Sequence, residues 1–525
     1  MPSLIETLHQ GYLNDDLYSQ AQEILVQQAG PKPEPETLQE ALQIASSKGR
    51  FDVVELIASC YTDIDDPLES VLGWTKLFQL VIYGTTEELE VALQAAKENQ
   101  DILEQTDTCH RTPFLCSILV GDRDKAQRLL QAGSNPLACG QEGEPPVFYA
   151  ICHDNVDMLN FLISKWNGDN QDGGGTSIVE QTDRLDNTPL MHAVRKRAVQ
   201  CVNALLREHK VNVSGDNNPL PSLVDDNLNS NCSTTPVISN TTTREILFAL
   251  VQAGARMEEM DSEDRAKLRG YANTWGKWDE LLPTVSADDF ADGCCVQFGD
   301  ANPERVEDPF WKVMVQCGAS AYSAFVQFES SAAESCRPIW SFDRFGKSCT
   351  LLPDGRFVEI AGEHEDYYDP DFAIYNDVVV HDGKGNCEFY SYPEEVFPCT
   401  DFHTATLVPS LEEQLSQEEE VAAVAGGSMI YIIGCVGYPQ DRRPGFTPVF
   451  GLHVDTWKME RIETSGDMPG WIARHKAVYD PLSSSISITG GWIIVNPEEG
   501  RGVENKDEFT LNLQTRAWTR KSATP

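Results

Sequence analysis

Basic residues are few in this sequence relative to acidic ones. Its 525 residues carry 40 lysines and arginines against 82 aspartates and glutamates, which gives a net charge of −42. A field of this sign repels the phosphates of nucleic acids and anionic membrane surfaces, so neither is expected as a partner. It also keeps an interaction surface soluble, because acidic side chains oppose association. The expected partner is another protein, and a basic protein would fit this charge.

The usual marks of export, membrane insertion and structural zinc are also missing. The sequence does not begin with a basic region and an apolar core, and no run approaches the ~20 apolar residues of a membrane span. Its fifteen cysteines are scattered, without the paired Cys-x-x-Cys spacing of a zinc site. These features predict a cytoplasmic protein with free thiols and no cofactor.

Recognisable catalytic motifs are missing as well. Gly-Lys-Ser at 346–348 lacks the preceding glycine of a phosphate-binding loop, and no Gly-x-Ser-x-Gly nucleophile turn occurs. No cysteine or serine stands at a recognised hydrolase spacing from a histidine. We therefore expect a protein that is not an enzyme.

The first half of the chain contains paired amphipathic helices. Residues 36–60 place apolar side chains at helical spacing on two segments that Gly49 separates. The same layout recurs around Gly84 and Gly121, and again in 147–163. A helix, a tight turn and an antiparallel helix form a hairpin, and repeated hairpins bury their apolar faces against one another.

Two segments carry the clearest copies of this repeat. Thr-Pro-Phe at 112–114 is followed by Leu-Leu and Gly133, and Asn-Thr-Pro-Leu-Met-His-Ala stands at 187–193. The pattern resembles the ankyrin repeat, and Pro113 and Pro146 are separated by its period of 33 residues. The threonine is expected to cap the first helix, and the proline to occupy its first turn.

The ankyrin resemblance implies an α-solenoid over residues 1–285, with insertions near 166–180 and 214–242. Its inner face, formed by hairpin tips and first helices, is then expected to hold a protein partner. Residues 286–340 are predicted to be a helical connector, with one helix over 310–325 that begins after Asp308.

From about residue 341 the apolar pattern alternates, as it does in strands. Short strands run into turns at Gly362, Gly434 and Gly491, and each turn is followed by a loop and two further strands. Four short strands per unit are typical of a propeller blade. The fold class predicted for the whole chain is thus multidomain, α followed by β.

The three strand-rich units resemble kelch repeats. Gly490-Gly491 followed by Trp518 is the best match, and His403 and His475 precede the first strand of a unit. The resemblance implies a partial kelch-type propeller array over 341–525. Propellers usually close with four to eight blades, so three leave an open side. We expect this side to dock within the chain; extra strands from 290–345 or a second chain are the alternatives.

The densest polar segment is a predicted loop at 363–377, after the first of these turns. Rigid aromatic side chains are effective partner contacts. The predicted contacts are His364, Tyr367, Tyr368, Phe372, Tyr375 and, after the third turn, Trp492. Alternatively the same loop binds a divalent cation through carboxylates and an imidazole. The candidate ligands are Glu363, His364, Glu365, Asp366, Asp369 and Asp371.

Together these observations favour a non-catalytic scaffold or adaptor that binds proteins through the ankyrin-like inner face and the kelch-like loops. Two other functions stay open at this point. An acidic inhibitor of the immunity type would use the net charge of −42 to neutralise a basic enzyme or toxin. A metal-dependent hydrolase would have its site in the 363–377 loop.

Overall fold

A computed structural model of the chain describes residues 4–10, 17–27, 35–61, 66–96, 100–169, 177–213, 215–224, 240–328, 338–366, 369–410 and 427–521. The chain divides into two compact units, Met1–Ser222 and Leu223–Pro525. This division falls before the predicted boundaries at 285 and 340, which stay predictions about the extent of each repeat type. Large parts of the two predicted insertions, at 170–176 and 225–239, lie outside the described residues.

The first unit is helical. Its α-helices are Leu4–Gln10, Leu17–Gln27, Pro35–Ser47, Phe51–Ala58, Pro67–Leu72, Lys76–Ile82, Thr86–Ala96, Pro113–Val120, Arg123–Ala132, Pro146–Ile151, Val156–Asp169, Pro189–Lys196 and Val199–Arg207. Short 3₁₀ turns lie at Gln100–Glu104, Ile178–Glu180 and Gly215–Asn217. The helix pairs predicted from the apolar spacing are confirmed.

The predicted capping residues determine where these helices begin and end. Thr112 Oγ1 accepts a hydrogen bond from the Leu115 amide at 3.3 Å, and Thr188 Oγ1 accepts one from the Met191 amide at 3.2 Å. Gly121 ends its helix in the left-handed region, with φ of 79°. The first helices Lys76–Ile82, Pro113–Val120, Pro146–Ile151 and Pro189–Lys196 pack side by side in this order.

The second unit begins with helices. They are Thr241–Gln252, Ser262–Arg269, Trp278–Leu281, Ala287–Gly293, Pro309–Cys317 and Ala321–Phe328, with 3₁₀ turns at Met257–Glu259, Leu282–Thr284 and Pro439–Asp441. The single helix predicted over 310–325 is wrong. Gly318 adopts φ of 66° and ends the first of two helices, while Asp308 caps its start by accepting from the Trp311 amide at 2.9 Å.

Three antiparallel sheets follow, each built on four strands. The first sheet contains Ser348–Leu351, Phe357–Ile360, Val378–His381 and Cys387–Ser391; the second contains Thr404–Val408, Met429–Ile433, Val449–His453 and Met459–Arg461; the third contains Lys476–Asp480, Ser485–Thr489, Glu508–Asn512 and Ala517–Lys521. Glu304–Val306 adds an edge to the first sheet, and Ser465–Gly466 adds a parallel edge to the third.

Two hairpins leave these sheets. Glu363–Asp366 pairs with Asp369–Ile374, and Trp492–Asn496 pairs with Arg501–Glu504 while Ile472–Ala473 extends it on the other side. The four-strand units are therefore present as the sequence predicts. Their classification as kelch blades of a propeller stays a prediction.

Successive residues of a strand point to opposite faces of the sheet. In the first sheet, apolar side chains at successive positions make both faces apolar. Val379 and Phe389 join the core of the helical segment, where the rings of Trp311 and Trp340 stack 4.4 Å apart. Val378 belongs to a core shared with the second sheet. The helices of the second unit thus cover one outer face of the sheets.

The second and third sheets continue this layering. Ile430 and Ile432 share a core with the first sheet, whereas Ile433 shares one with the third, where it meets Ile486. Across the strands of the third sheet, Ser487 Oγ lies 3.0 Å from the hydroxyl of Thr510. These half-buried hydroxyl side chains alternate with the core residues, so the far side of the third sheet is polar.

A buried cluster of charged side chains connects the helices of the second unit to the first sheet. Glu359 pairs with Arg269 and, at 2.8 Å, with Lys347, whose ammonium lies 3.7 Å from the ring centre of Phe342. Burial by itself raises the pKa of Glu359, but Arg269 and Lys347 outweigh it and hold this pKa below its ordinary value. The carboxylate is therefore ionised and shared by two cations.

The cysteines depart from expectation at one position. Twelve cysteines among the described residues are free thiols, whereas Cys295 is disulfide-bonded. The expectation of free thiols throughout the chain is therefore wrong at Cys295. Among the described residues, no helix combines the length and the apolar content that crossing a bilayer requires.

We predict that Glu359→Gln lowers the free energy of unfolding of the second unit by about 3–5 kcal/mol, because it leaves the buried Arg269 and the partly buried Lys347 without their carboxylate. Urea denaturation measures this change. The control is Asp507→Asn, which breaks an exposed pair with Arg520 and should cost less than about 1 kcal/mol. Equal losses in the two variants would show that the buried cluster does not hold the helices to the sheet.

Candidate functional site

A groove of about 290 Å³ runs along the first helices of the repeats in the first unit. Its lining includes Leu119, Phe148, His192 and Lys196, which come from three successive first helices, and Arg111 from the turn before them. Because each hairpin contributes residues at the same level, the groove is a direct result of the stacking. It corresponds to the inner face that the sequence predicts as a partner site.

Arg111, which lines the groove, belongs to a buried ion pair. Arg111 Nη2 lies 2.6 Å from Asp107 Oδ2, and the same carboxylate accepts from the Arg111 amide and from Trp74 Nε1 at 2.9 and 3.1 Å. Arg111 also donates to Ser46, through Nη1 to the carbonyl at 2.8 Å and through Nη2 to the hydroxyl at 2.7 Å. This arginine is therefore held rigidly by groups on both sides.

One cysteine and one histidine approach each other in the groove. Cys152 Sγ lies 3.7 Å from His192 Nε2, and the imidazole packs on Phe148 with ring centres 4.5 Å apart. Burial, with Lys196 and Arg195 nearby, lowers the pKa of His192 to about 3. A neutral imidazole does not form the imidazolium–thiolate pair that activates a cysteine nucleophile.

The groove carries charge of both signs. Glu142 and Glu144 line it on the side of the turns, and Lys48 and Lys196 line it elsewhere. Burial, with Lys196 nearby, lowers the pKa of Lys48. The two ammonium groups are therefore close enough to repel each other, in a chain whose net charge is strongly negative.

The predicted 363–377 loop is largely a β-hairpin, and the interpretation as a loop is wrong. Glu363 pairs with Ile374 and His364 with Ala373. Because side chains alternate along a strand, Glu363 and His364 point to opposite faces and do not converge on one ion. The side chains of the candidate ligands Asp366, Asp369 and Asp371 lie outside the described residues.

Glu365 is the remaining candidate cation ligand whose side chain the structure describes. Glu365 is exposed, and within the part of the chain that the structure describes no three His, Cys, Asp or Glu side chains are grouped closely enough to hold a metal ion. The alternative of a metal-dependent hydrolase thus gains no support from the geometry.

Two of the predicted partner contacts lie inside the fold. His364 is 7% exposed, and its Nδ1 is 2.8 Å from the carbonyl oxygen of Asp343. Tyr375 is 1% exposed, and its ring lies 3.5 Å from the guanidinium carbon of Arg344. Arg344 in turn pairs with Asp377, which receives the indole N–H of Trp340 at 2.8 Å. These side chains organise the first sheet and are not accessible to a partner.

The other predicted contacts include two exposed aromatics. Phe372 is 43% exposed on its hairpin, and Trp492 is 51% exposed at the start of the second hairpin, on a strand rather than in a loop. Tyr367 and Tyr368 lie outside the described residues. The prediction of partner contacts therefore narrows to Phe372 and Trp492 among the described side chains.

A carboxyl pair that the sequence analysis missed joins the first hairpin to the second sheet. Glu363 and Asp401 share a hydrogen bond, and Asp401 Oδ1 accepts from the Gly437 amide at 2.6 Å. Burial and the neighbouring Asp401 raise the pKa of Glu363 to about 7, although Arg474 opposes this. Asp401 lies two residues before His403, one of the two histidines that precede a strand unit, and this position is a sequence signal that could have indicated it.

The histidines that precede the strand units have a structural role. His403 Nε2 is 2.8 Å from Ser348 Oγ, and His475 Nε2 is 2.9 Å from Thr404 Oγ1. Each histidine thus contacts the first strand of the sheet before its own. Burial, with His475 nearby, lowers the pKa of His403 to about 3, and burial lowers that of His475 to about 4. Both imidazoles are neutral, and each lies where one sheet contacts the next.

Comparison with known proteins identifies the helical repeats. Residues 114–217 match a family model described as ankyrin repeats, in three copies. This match confirms the ankyrin repeats that the sequence pattern predicts. No curated protein matches the chain.

Two solved structures are similar to part of the chain. The ankyrin repeat domain of Bcl-3, a member of the IkappaB protein family, is 18% identical, with 38% of this chain and 81% of that chain covered and a TM-score of 0.29. The human ASB11 ankyrin repeat domain is 16% identical, with 43% and 89% covered and a TM-score of 0.28. Both TM-scores lie below 0.5, so the family model alone carries the identification of the repeats.

We predict that His403 and His475, which lie where one sheet contacts the next, make the second unit less stable at acidic pH. The unfolded chain protonates His403 below its ordinary pKa of 6.5, whereas the folded pKa is about 3, so the free energy of unfolding falls as the pH falls below 6.5. His403→Gln should reduce this dependence between about pH 6 and about pH 5 by roughly 1.4 kcal/mol per pH unit, measured by urea denaturation.

Ser348→Ala is the control for this prediction. It removes the hydroxyl that His403 contacts, so it should lower the free energy of unfolding at each pH by about 1 kcal/mol. It should leave the pH dependence in place, since burial is the main cause of the low pKa of His403. A pH dependence that is unchanged in His403→Gln would contradict the assignment.

Proposed function

We propose that this protein is a non-catalytic interaction scaffold that binds another protein through the groove of its ankyrin repeats. The observation that carries the proposal is the alignment of the groove with the matched repeats. Leu119, Phe148 and His192 come from equivalent first helices within residues 114–217 and line one continuous surface. A rigid surface of this kind binds with little loss of conformational entropy.

A second surface, which we name the hairpin face, is proposed for the second unit. It consists of the exposed aromatics Phe372 and Trp492 and of Phe345, which is 62% exposed and pairs through its backbone with Glu363. Exposed aromatic side chains are enriched among the residues that dominate binding energies. The adjoining segment 363–371 contains five carboxylates and no lysine or arginine, so a basic segment of the partner fits this surface by charge.

An acidic inhibitor of a basic protein is the second candidate, and the net charge of −42 favours it. The two functions differ in their dependence on salt. Charge-dominated binding weakens steeply as ionic strength rises, whereas binding anchored by aromatic side chains does not. A cytoplasmic location belongs to the proposal and is supported by the predominance of free thiols.

We predict that Trp492→Ala and Phe372→Ala each weaken capture of the partner by about tenfold, because truncating an interface aromatic commonly costs more than 1 kcal/mol. The measurement uses the tagged full-length chain and lysate from its source cells, with captured proteins quantified at about 50 mM and about 500 mM salt.

Val478→Ala is the matched control, because Val478 is exposed on an edge strand of the third sheet, outside the hairpin face. It should capture the same proteins as the wild type. Loss of all captured proteins at high salt, with no effect of the two aromatic substitutions, would favour the acidic inhibitor and overturn the aromatic anchors.

A further inference from the structure

The turn of an early helical hairpin reaches further along the repeats than serial stacking requires. The hairpin also contacts the next one, since Tyr83 Oη donates to the Phe51 carbonyl at 2.9 Å and the rings of Phe51 and Trp74 lie 5.6 Å apart. We name helices Pro35–Ser47 and Phe51–Ala58 the 35–58 hairpin. In a serial stack, its turn would contact only the next hairpin, which lies within residues 66–96. A Cβ atom built on Gly49 would instead lie 3.5 Å from Leu119 Cδ2 and 3.0 Å from His153 Nε2. These two residues belong to the second and third hairpins beyond it.

The end of the first helix of this hairpin is bound by the groove. Ser46 is completely buried, and its carbonyl and hydroxyl oxygens both accept from Arg111, at 2.8 and 2.7 Å. Arg111 belongs to the turn before the repeat at Pro113–Val120 and is fixed by Asp107. One groove arginine therefore recognises two acceptors on the last turn of a helix.

The turn itself contributes to the walls of the groove. Ser47 and Lys48 line the same 290 Å³ space as Phe148, His192 and Lys196. The 35–58 hairpin thus reaches along the inner face as far as the third matched repeat. It occupies part of the surface on which a partner of the groove would bind.

Like charges face each other across this contact. Burial, together with Arg50 and Lys196, lowers the pKa of His153, and burial with Lys196 lowers that of Lys48. Glu142 and Glu144 line the same groove and supply the opposite charge. Charges of both signs therefore surround the turn, and Lys48 Nζ donates to the Leu8 carbonyl at 2.6 Å.

We propose that the 35–58 hairpin is a resident ligand of the groove, and that a partner enters by displacing it. The partner that fits is a helix whose last turn offers a hydroxyl and a carbonyl oxygen to Arg111, as Ser46 does. The position of the hairpin in the groove is supported by the contacts described above. Only the competition with a partner rests on the proposed function.

Gly49→Val in the full-length chain tests the seating. Gly49 has φ of 69°, and a Cβ there would lie 3.0 Å from Nε2 of His153, so valine strains the turn, crowds it against the imidazole and weakens its contact with the groove. Amide hydrogen exchange is then expected to accelerate by about tenfold or more at 46–52 and also at 109–111 and 148–153, because the groove residues lose their cover. Ser46→Ala removes one acceptor of Arg111 and should produce a smaller change at the same places.

Gly254→Val is the control for backbone strain. Gly254 has φ of 99° and no heavy atom within 4 Å of a built Cβ, so valine there causes comparable strain without a clash. It should leave exchange at 109–111 and 148–153 unchanged. Acceleration confined to 35–96 in Gly49→Val would show a serial stack and overturn the seating of the hairpin.

The competition has its own readout in the capture experiment. If a partner displaces the hairpin, Gly49→Val should capture about tenfold more of a groove-bound partner than the wild type, as expected when a competing state is removed. Faster exchange without increased capture would overturn the competition and leave the seating intact. Capture that depends on Trp492 concerns the hairpin face, so its loss tests the proposed function separately.

Discussion

The architecture of the second unit depends on the burial of apolar side chains on both faces of a strand. Each of the first two sheets carries such residues on both sides, as Val378 and Val379 do at successive positions. A sheet of this kind must be covered twice, since each buried side chain contributes roughly 1.5–3 kcal/mol that exposure would forfeit. The helices provide one cover, and the succession of sheets provides the others.

Polar contacts then determine how the covered layers are aligned. Glu359 joins the helical segment to the first sheet by a buried charge cluster. His403 and His475 each form a hydrogen bond with a hydroxyl of the sheet before their own. Some of the buried polar groups of this unit thus lie where its layers meet, and loss of a partner at such a place would cost about 1–3 kcal/mol.

The sequence predicts the local elements well because their signals are local. Helix pairs follow from the apolar period and from Thr112 and Thr188, and the strand units follow from alternation. The hairpin at 492–504 was not predicted, and the one at 363–374 was interpreted as a loop because its first strand consists of polar residues. The seating of the 35–58 hairpin could not be predicted, because apolar spacing shows which face is buried but not which neighbour covers it. Of the proposed partner contacts, the exposed aromatics Phe372 and Trp492 could be named from sequence, whereas the buried Tyr375 packs on Arg344, which is distant in the chain.

The polar far side of the third sheet has a consequence for how such a chain can grow. Ser487 and Thr510 present hydroxyls where the second sheet presents isoleucines. A further sheet added after the last strand would therefore face a polar surface and could not bury apolar side chains against it. A sheet inserted between two existing sheets would instead meet apolar side chains on both of its faces.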